Sequence, residues 1–455
     1  MIRYKASLKL LSLATIILIT SSCKRDVDFE EFGTRIRQTF TAKDSTSKKN
    51  IRNTPANVYA IYSGNGFTPV WITEEGRIKK ADEFIKELES LPGEGISNAK
   101  YNLAELKAQA EAMSKNKNRK DIQAVIEWDK KMTTAYVQAA NDLLYGVIDP
   151  EDAVDMWYHD NDSTVNWQED IQDNKFPSLD VYRSKLGTYA ALVKHRASLA
   201  DDDSAKASVD ANLERLRWLP QSFEEDYILT VVPMMEIMLK EKGKTTMQMK
   251  AVVGKPDRET PSLNADIVNI VFNPSWGVPP GIMKKDVIPG LLNKGTGYLD
   301  KKNLKVYDRK GNEIDPSTIT ADNYKGYVFR QPPSEKNALG QVKLNMPNPW
   351  DIYLHDTPSK GDFELEERYK SSGCVRLERA LPLAEYILKK MNSNNDTLQI
   401  DNVLNAGETK YIKLQNRLPV HIVYLTAYDI DGQLQFFKDI YSKDRELAAL
   451  LNKQN

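Results

Sequence analysis

The 455-residue chain carries 63 Lys and Arg against 64 Asp and Glu, a formal net charge of −1, and 41% of its residues are hydrophobic. That length suits two or three domains with sizeable cores, and a balanced charge without a basic block argues against nucleic acid as a partner. Two cysteines and four scattered histidines exclude a disulfide framework and leave almost no ligands for a thiolate metal site.

The chain opens with Arg3, Lys5 and Lys9 flanking or entering an apolar run, Leu8 to Ile19, that is too short for an ordinary membrane span and reads as an export signal. It ends at Thr20-Ser21-Ser22-Cys23 before polar Lys24-Arg25-Asp26, which resembles a lipoprotein processing site, although Thr20 stands where such sites usually have Leu. Residues 1–23 are therefore expected to be a signal peptide with lipid carried on Cys23, giving an exported, periplasmic protein anchored to a membrane. An uncleaved anchor or plain secretion would also place the rest outside the cytoplasm.

Residues 24–50 are charged and Ser/Thr-rich, with Ala42 to Lys49 reading as a solvated, flexible tether. From residue 51 to about 220 the pattern is helical. Phe84, Leu88 and Leu91 share a face before Pro92-Gly93, and Met132, Tyr136, Ala140 and Leu143 do the same before Gly146, a C-terminal cap. Such stripes are normally core. Tyr189 to Asp210 reads as a short polar, helical connection, with His159 and His195 at the surface.

From Tyr227 the runs become short. Ile228 to Val232, Met247 to Val253, Ile267 to Phe272, Leu304 to Tyr307, Val342 to Met346, Ile352 to Leu354 and Val420 to Tyr428 are bounded by Gly, Pro, Asn and Asp, which reads as a β-rich domain over 221–440. Asp429 to Gly432 is a turn that predicts a hairpin into Leu434–Phe437. His421 falls in a strand and is expected to be structural. The Lys-, Asp- and Gly-rich residues 281–330 are either a surface excursion or a cap. After Cys374, Leu381 to Met391 predicts a helix with Leu383, Ile387 and Leu388 inward, and a last helix is expected over 441–455. The fold class is α+β, a helical N-terminal domain followed by a β-rich one.

Two short turns concentrate the chemistry: Tyr353-Leu354-His355-Asp356-Thr357-Pro358 and Ser371-Ser372-Gly373-Cys374-Val375-Arg376-Leu377. A thiol attacks a carbonyl well only when it can lose its proton, and an imidazole within reach can take it. Cys374 is the candidate nucleophile and His355 the base. Gly373 lets a carbonyl oxygen approach backbone N–H groups, as an oxyanion hole requires. If Cys374 to Leu377 is extended, Arg376 shares the face of Cys374 and can hold a substrate carboxylate two-pronged. Against this, a lone Cys is more often a small buried hydrophobe, a lone His more often a hydrogen-bonded bystander, and Arg376 could simply pair with Glu378.

The local pattern decides between them. His-Asp-Thr-Pro, then Ser-Ser-Gly-Cys-Val-Arg with Cys374 nineteen positions after His355 (374 − 355 = 19), resembles the active-site signature of the L,D-transpeptidases, cysteine enzymes of peptidoglycan remodelling, and most of all their large YcbB-type branch. Ser372 stands where many members have a second His. Asn212 to Pro220, Val253-Gly254-Lys255-Pro256, Phe272 to Pro279, Gln331-Pro332-Pro333 and Asn337 to Gly340 are similar to that branch in the same order.

The resemblance implies a helical scaffold domain and a β-rich YkuD-like catalytic domain, with 281–330 as a cap over the site. The small peptidoglycan-binding module that the branch often inserts between Tyr182 and Leu216 is missing. It further implies that Cys374 attacks the carbonyl between diaminopimelate and the terminal D-alanine of a tetrapeptide stem, that His355 handles the protons, and that the amine of a second stem resolves the thioester without metal or organic cofactor. Tyr353, Ser372, Asp356 and Thr357 would line the site, while Asn337 and Arg376 would orient the peptide. Water or a protein amine as acceptor gives an L,D-carboxypeptidase or endopeptidase, or a wall-attachment enzyme. A non-catalytic peptidoglycan-binding lipoprotein is the reading from another class. A papain-like protease is disfavoured because His355 precedes Cys374.

Overall fold

The computed structural model describes residues 26–41, 43, 54–115, 119–159, 178–200, 204–391 and 399–454. Cys23 and the rest of the expected signal peptide lie outside them. The described residues form two compact units: those up to 86 with those of 103–137, and those of 87–102 and 138–159 with those from 178 onward.

The first unit is helical. Asp129, in the middle of the long helix Ile122–Tyr145, is completely buried. It accepts hydrogen bonds from the Tyr62 hydroxyl (2.6 Å) and from the Val70 and Trp71 N–H groups (3.0 and 2.8 Å). Burial still pushes its carboxyl up to about 6. The tether reading of 24–50 needs correction at its start, because Phe29–Gln38 is a helix. Asp28 caps it by accepting from the Glu30 and Glu31 N–H groups. Phe32 and Ile36, four apart among charged neighbours, are fully buried, and the Phe32 ring lies 6.4 Å from that of Tyr62. That is amphipathic spacing, not solvated chain. Residues 42 and 44–50, the most polar part, lie outside the described residues.

The second unit is built on strands. In chain order they are β1 (Trp157–Tyr158), β2 (Asp226–Val231), β3 (Glu236–Glu241), β4 (Lys244–Gly254), β5 (Ser262–Phe272), β6 (Trp276–Gly277), β7 (Lys305–Tyr307), β8 (Glu313–Ile314), β9 (Val328–Gln331), β10 (Val342–Asn345), β11 (Leu354–His355), β12 (Tyr369–Ser371), β13 (Val375–Leu377), β14 (Lys410–Val423), β15 (Ala427–Ile430) and β16 (Gln433–Phe436). The main sheet runs β1-β5-β10-β11-β13-β4-β3-β2-β14, and β14 also pairs with β5, so the ladder closes on itself. Closure leaves an interior that side chains must fill. Ile237, Val253, Ile267, Phe272, Leu344 and Val375 are among those that do. The helix Ala380–Met391 adds Leu383, Ile387 and Leu388 to the same core.

Residues 276–331 make a small subdomain with a second sheet, β6-β9-β7-β8, short helices from Pro280 to Lys301, and a core of its own around Val287, Leu299, Val306 and Phe329. The hairpin at 429–432 forms as β15 and β16, with Asp431 and Gly432 both at positive φ (52° and 82°), the backbone a two-residue primed turn requires. His159 and His195, expected at the surface, are half-buried and each has a partner. His159 bonds Ser262 Oγ at 3.0 Å and leans on the Trp157 ring, while His195 pairs with Asp429 at 2.7 Å. Both partners are remote in sequence, and an adjacent charge gave no sign of them. His421, stacked on Phe223 and bonded to Glu224, is held within the fold.

Candidate active site

β11 lies between β10, antiparallel with Lys343 opposite His355, and β13, parallel with His355 opposite Arg376. Side chains alternate across a strand. Leu354, Val375 and Leu377 point into the closed core, so His355 and Arg376 point away from it. Tyr353, His355, Cys374 and Arg376 all line one cleft of about 590 Å³, whose other wall is the small subdomain through Trp276, Ile282, Asp286 and Tyr298.

His355 is buried. Its Nδ1 bonds the main-chain oxygen of Asp356. A carbonyl only accepts, so the neutral ring carries its hydrogen on Nδ1 and keeps the lone pair on Nε2. Burial first, then the Arg376 and Lys343 charges, lower its pKa to about 3. Burial pushes the Cys374 thiol up, partly offset by the Tyr353 backbone and hydroxyl and by the Lys343 and Arg376 charges. The Sγ makes a 3.9 Å contact with the Asp351 main-chain oxygen. Both shifts favour the uncharged forms, thiol and imidazole, over a thiolate–imidazolium pair.

Gly373 has φ +115°, and a Cβ there would lie 3.2 Å from both the Glu259 main-chain oxygen and Ile352 Cδ1. Its N–H, expected in an oxyanion hole, is instead donated to Ser371 Oγ (3.2 Å), whose hydroxyl in turn donates to the Cys374 main-chain oxygen (2.6 Å). The glycine serves the turn, because this φ suits no L residue. Arg376 pairs not with Glu378 but with Asp362, at 3.2 Å from the helical turn Lys360–Glu364, and its Nε is buried without a partner. Exposed Ser372 also lines the cleft and has its hydroxyl 3.1 Å from Arg258 Nη1.

Asp356 and Thr357, expected to line the site, and Asn337, expected to orient the peptide, are not among the residues lining the cleft. Fully buried Asn337 donates to the main-chain oxygens of Pro274, Gln331 and Pro332 and accepts from the Leu339 N–H. Asp356 accepts from the Gln341 N–H and pairs with Lys360. Thr357 accepts from the Ser359 N–H. Each satisfies backbone donors or acceptors that a chain reversal would otherwise bury unpaired. Sequence reading missed Lys343, Arg258, Asp286 and Thr260. Alternation along 342–346 was the available signal for Lys343; the others come from segments distant in sequence. Among the described residues no group of three or more His, Cys, Asp or Glu could hold a metal ion.

A thiol, an imidazole and a guanidinium thus line one cleft, a set of groups that acyl transfer through sulfur can use. Residues 225–403 match the L,D-transpeptidase catalytic domain and residues 56–195 match the Scaffold domain. The chain therefore carries a YkuD-type L,D-transpeptidase catalytic domain preceded by a Scaffold domain. Over 297 residues it is 29% identical to a Haemophilus influenzae protein named "Putative L,D-transpeptidase", covering 63% of this chain; the match spans 59% of that relative's length. Among solved structures, an L,D-transpeptidase from Mycobacterium smegmatis is 14% identical with a TM-score of 0.22, over 44% of this chain and 58% of that one. L,D-transpeptidase 3 from Mycobacterium tuberculosis is 11% identical with a TM-score of 0.22, over 44% and 61%.

Proposed function

We propose that the protein is a peptidoglycan L,D-transpeptidase that works through a thioester on Cys374. The observation that supports this most is that Cys374 and a His355 ring with its Nε2 lone pair available open onto one cleft of the matched domain. As Sγ attacks the carbonyl between diaminopimelate and the terminal D-alanine of a tetrapeptide stem, its proton passes to Nε2. Collapse breaks the C–N bond, and the leaving amine of D-alanine takes that proton. The side-chain amine of a second stem then attacks the thioester and gives its proton to His355, which returns it to the departing thiolate. The product is a diaminopimelate-to-diaminopimelate cross-link. Arg376, with an unpartnered Nε, fits a stem carboxylate.

The same acyl-enzyme with water or a protein amine as acceptor would give a hydrolase or a wall-attachment enzyme. Export and a lipid on Cys23 belong to the same proposal. Among the described residues no helix is long and apolar enough to cross a membrane.

Incubating purified protein with disaccharide-tetrapeptide and reading product masses tests the proposal. A dimer lacking one D-alanine, formed by wild type and not by Cys374→Ala, is the expected result. Tripeptide alone would favour hydrolysis. Turnover by Cys374→Ala would reject the thioester, and the non-catalytic lipoprotein reading predicts no product from either protein.

A further inference from the structure

We infer that Thr260, on the connection from β4 to β5, is a positioning residue that turns the Cys374 N–H toward the cleft as the oxyanion donor. This rests on the thioester reading above. Thr260 is buried, and its hydroxyl donates to the Gly373 main-chain oxygen at 2.7 Å while accepting from the Gly254 N–H at 2.8 Å. The Gly373 carbonyl and the Cys374 N–H belong to one planar trans peptide, so they point in opposite directions. Fixing the oxygen against buried Thr260 therefore aims the N–H away from the turn's interior. The Gly373 N–H is committed to Ser371, so the role falls to the Cys374 N–H next along the turn, whose direction the Thr260 bond sets.

Thr260 is itself held. Its N–H donates to the Tyr441 hydroxyl at 3.0 Å, and that hydroxyl donates to the Gly254 main-chain oxygen at 2.7 Å. Tyr441 is kept in place by stacking on Tyr424, with ring centroids 5.2 Å apart. Gly254 is packed so tightly that a Cβ would meet the Arg258 main-chain oxygen at 2.3 Å and the Thr260 nitrogen at 2.6 Å. The connection thus has little freedom to drift. A preorganised donor is what lowers the barrier to a developing oxyanion, because no reorganisation is left for the moment of reaction.

The test compares two reactions of the same sulfur in the full chain. Opening of a carbapenem lactam passes through an oxyanion, whereas alkylation by iodoacetamide does not, and both adducts are timed by intact mass. Thr260→Val keeps the shape and loses the hydroxyl. It is expected to slow acylation about ten- to a hundredfold while alkylation stays within about twofold, and Thr260→Ser is expected to restore acylation. Should Thr260→Val not fold, Tyr441→Phe, whose ring keeps its stack, is expected to show the same selective loss. Equal slowing of both reactions, unchanged acylation, or no recovery in Thr260→Ser would overturn the inference alone. A wild-type protein that iodoacetamide alkylates on Cys374 and carbapenems never acylate would overturn the thioester reading, and this inference with it.

Discussion

His355 stands in register with Arg376 across the parallel pair of β11 and β13, with Lys343 opposite it on β10. Burial first, then the cations on either side, resist protonation of this ring, which is why its pKa falls to about 3 rather than remaining near 6.5. The expected consequence is an acylation rate with no acid limb near pH 6.5, since the lone pair survives well below it. Arg376→Met removes a positive neighbour and makes the imidazolium easier to form, so an acid limb should move up in pH. Carbapenem acylation rates measured from pH 4 to 9 on both proteins check this. A wild-type limb centred near 6.5 would show that His355 titrates normally.

Gly373→Ala should damage the site out of proportion to the fold. Holding an L residue at φ +115° costs on the order of 1–3 kcal/mol, and the new Cβ would press on the Glu259 backbone and Ile352. Rotating the Gly373–Cys374 peptide relieves both and misplaces the nucleophile. Acylation is expected to fall at least about tenfold in a protein that still unfolds cooperatively, read by intact mass beside a thermal melt.

Some of this is legible in the sequence and some is not, for a physical reason that the residues show. Cys374 and His355 stand out in the sequence because their chemistry is rare in the chain and their turns are marked by glycine and proline. Their shared wall follows from alternation around Leu354 and Val375, which apolar patterning encodes. Asn337, Asp356 and Thr357 are polar residues in the same motifs, and nothing in a one-dimensional pattern says whether a carboxylate or amide meets substrate or its own backbone. Nor does it say that Thr260, more than a hundred positions earlier, bonds the nucleophile turn. The helix at Phe29–Gln38 was readable from Asp28 and the Phe32–Ile36 spacing but was overshadowed by the polar run beyond it.

Asn337→Ala tests whether the motif amide serves stability or substrate. Its side chain satisfies three main-chain oxygens and one N–H in a fully buried loop. Leaving such groups unpaired costs about 1–3 kcal/mol. The variant should unfold earlier in denaturant while the KM for tetrapeptide substrate remains close to wild type. A raised KM with unchanged stability would return Asn337 to the substrate.

Asp286 and Arg258 tie the small subdomain to the nucleophile turn. Arg258 Nη2 lies 2.7 Å from Asp286 Oδ1, and its Nη1 reaches Ser372 beside the catalytic loop. The Arg258 hydrogen bond and charge hold the Asp286 carboxyl below the usual carboxylate range despite a small opposing effect of burial. Asp286 is 41% exposed, so the pair adds at most about 1 kcal/mol to stability and weakens in salt. Its effect should appear in access instead. In Asp286→Asn the subdomain is held less firmly, so limited proteolysis within 281–301 should accelerate and carbapenem acylation should slow, with little change in the melting temperature. Raising the salt concentration on wild type should move both rates the same way. Because the depressed carboxyl stays charged until the pH falls through its own low value, neither rate should change between pH 5 and 8 on account of this pair. Proteolysis indifferent to both the substitution and salt would mean that the subdomain is held by its apolar contacts alone.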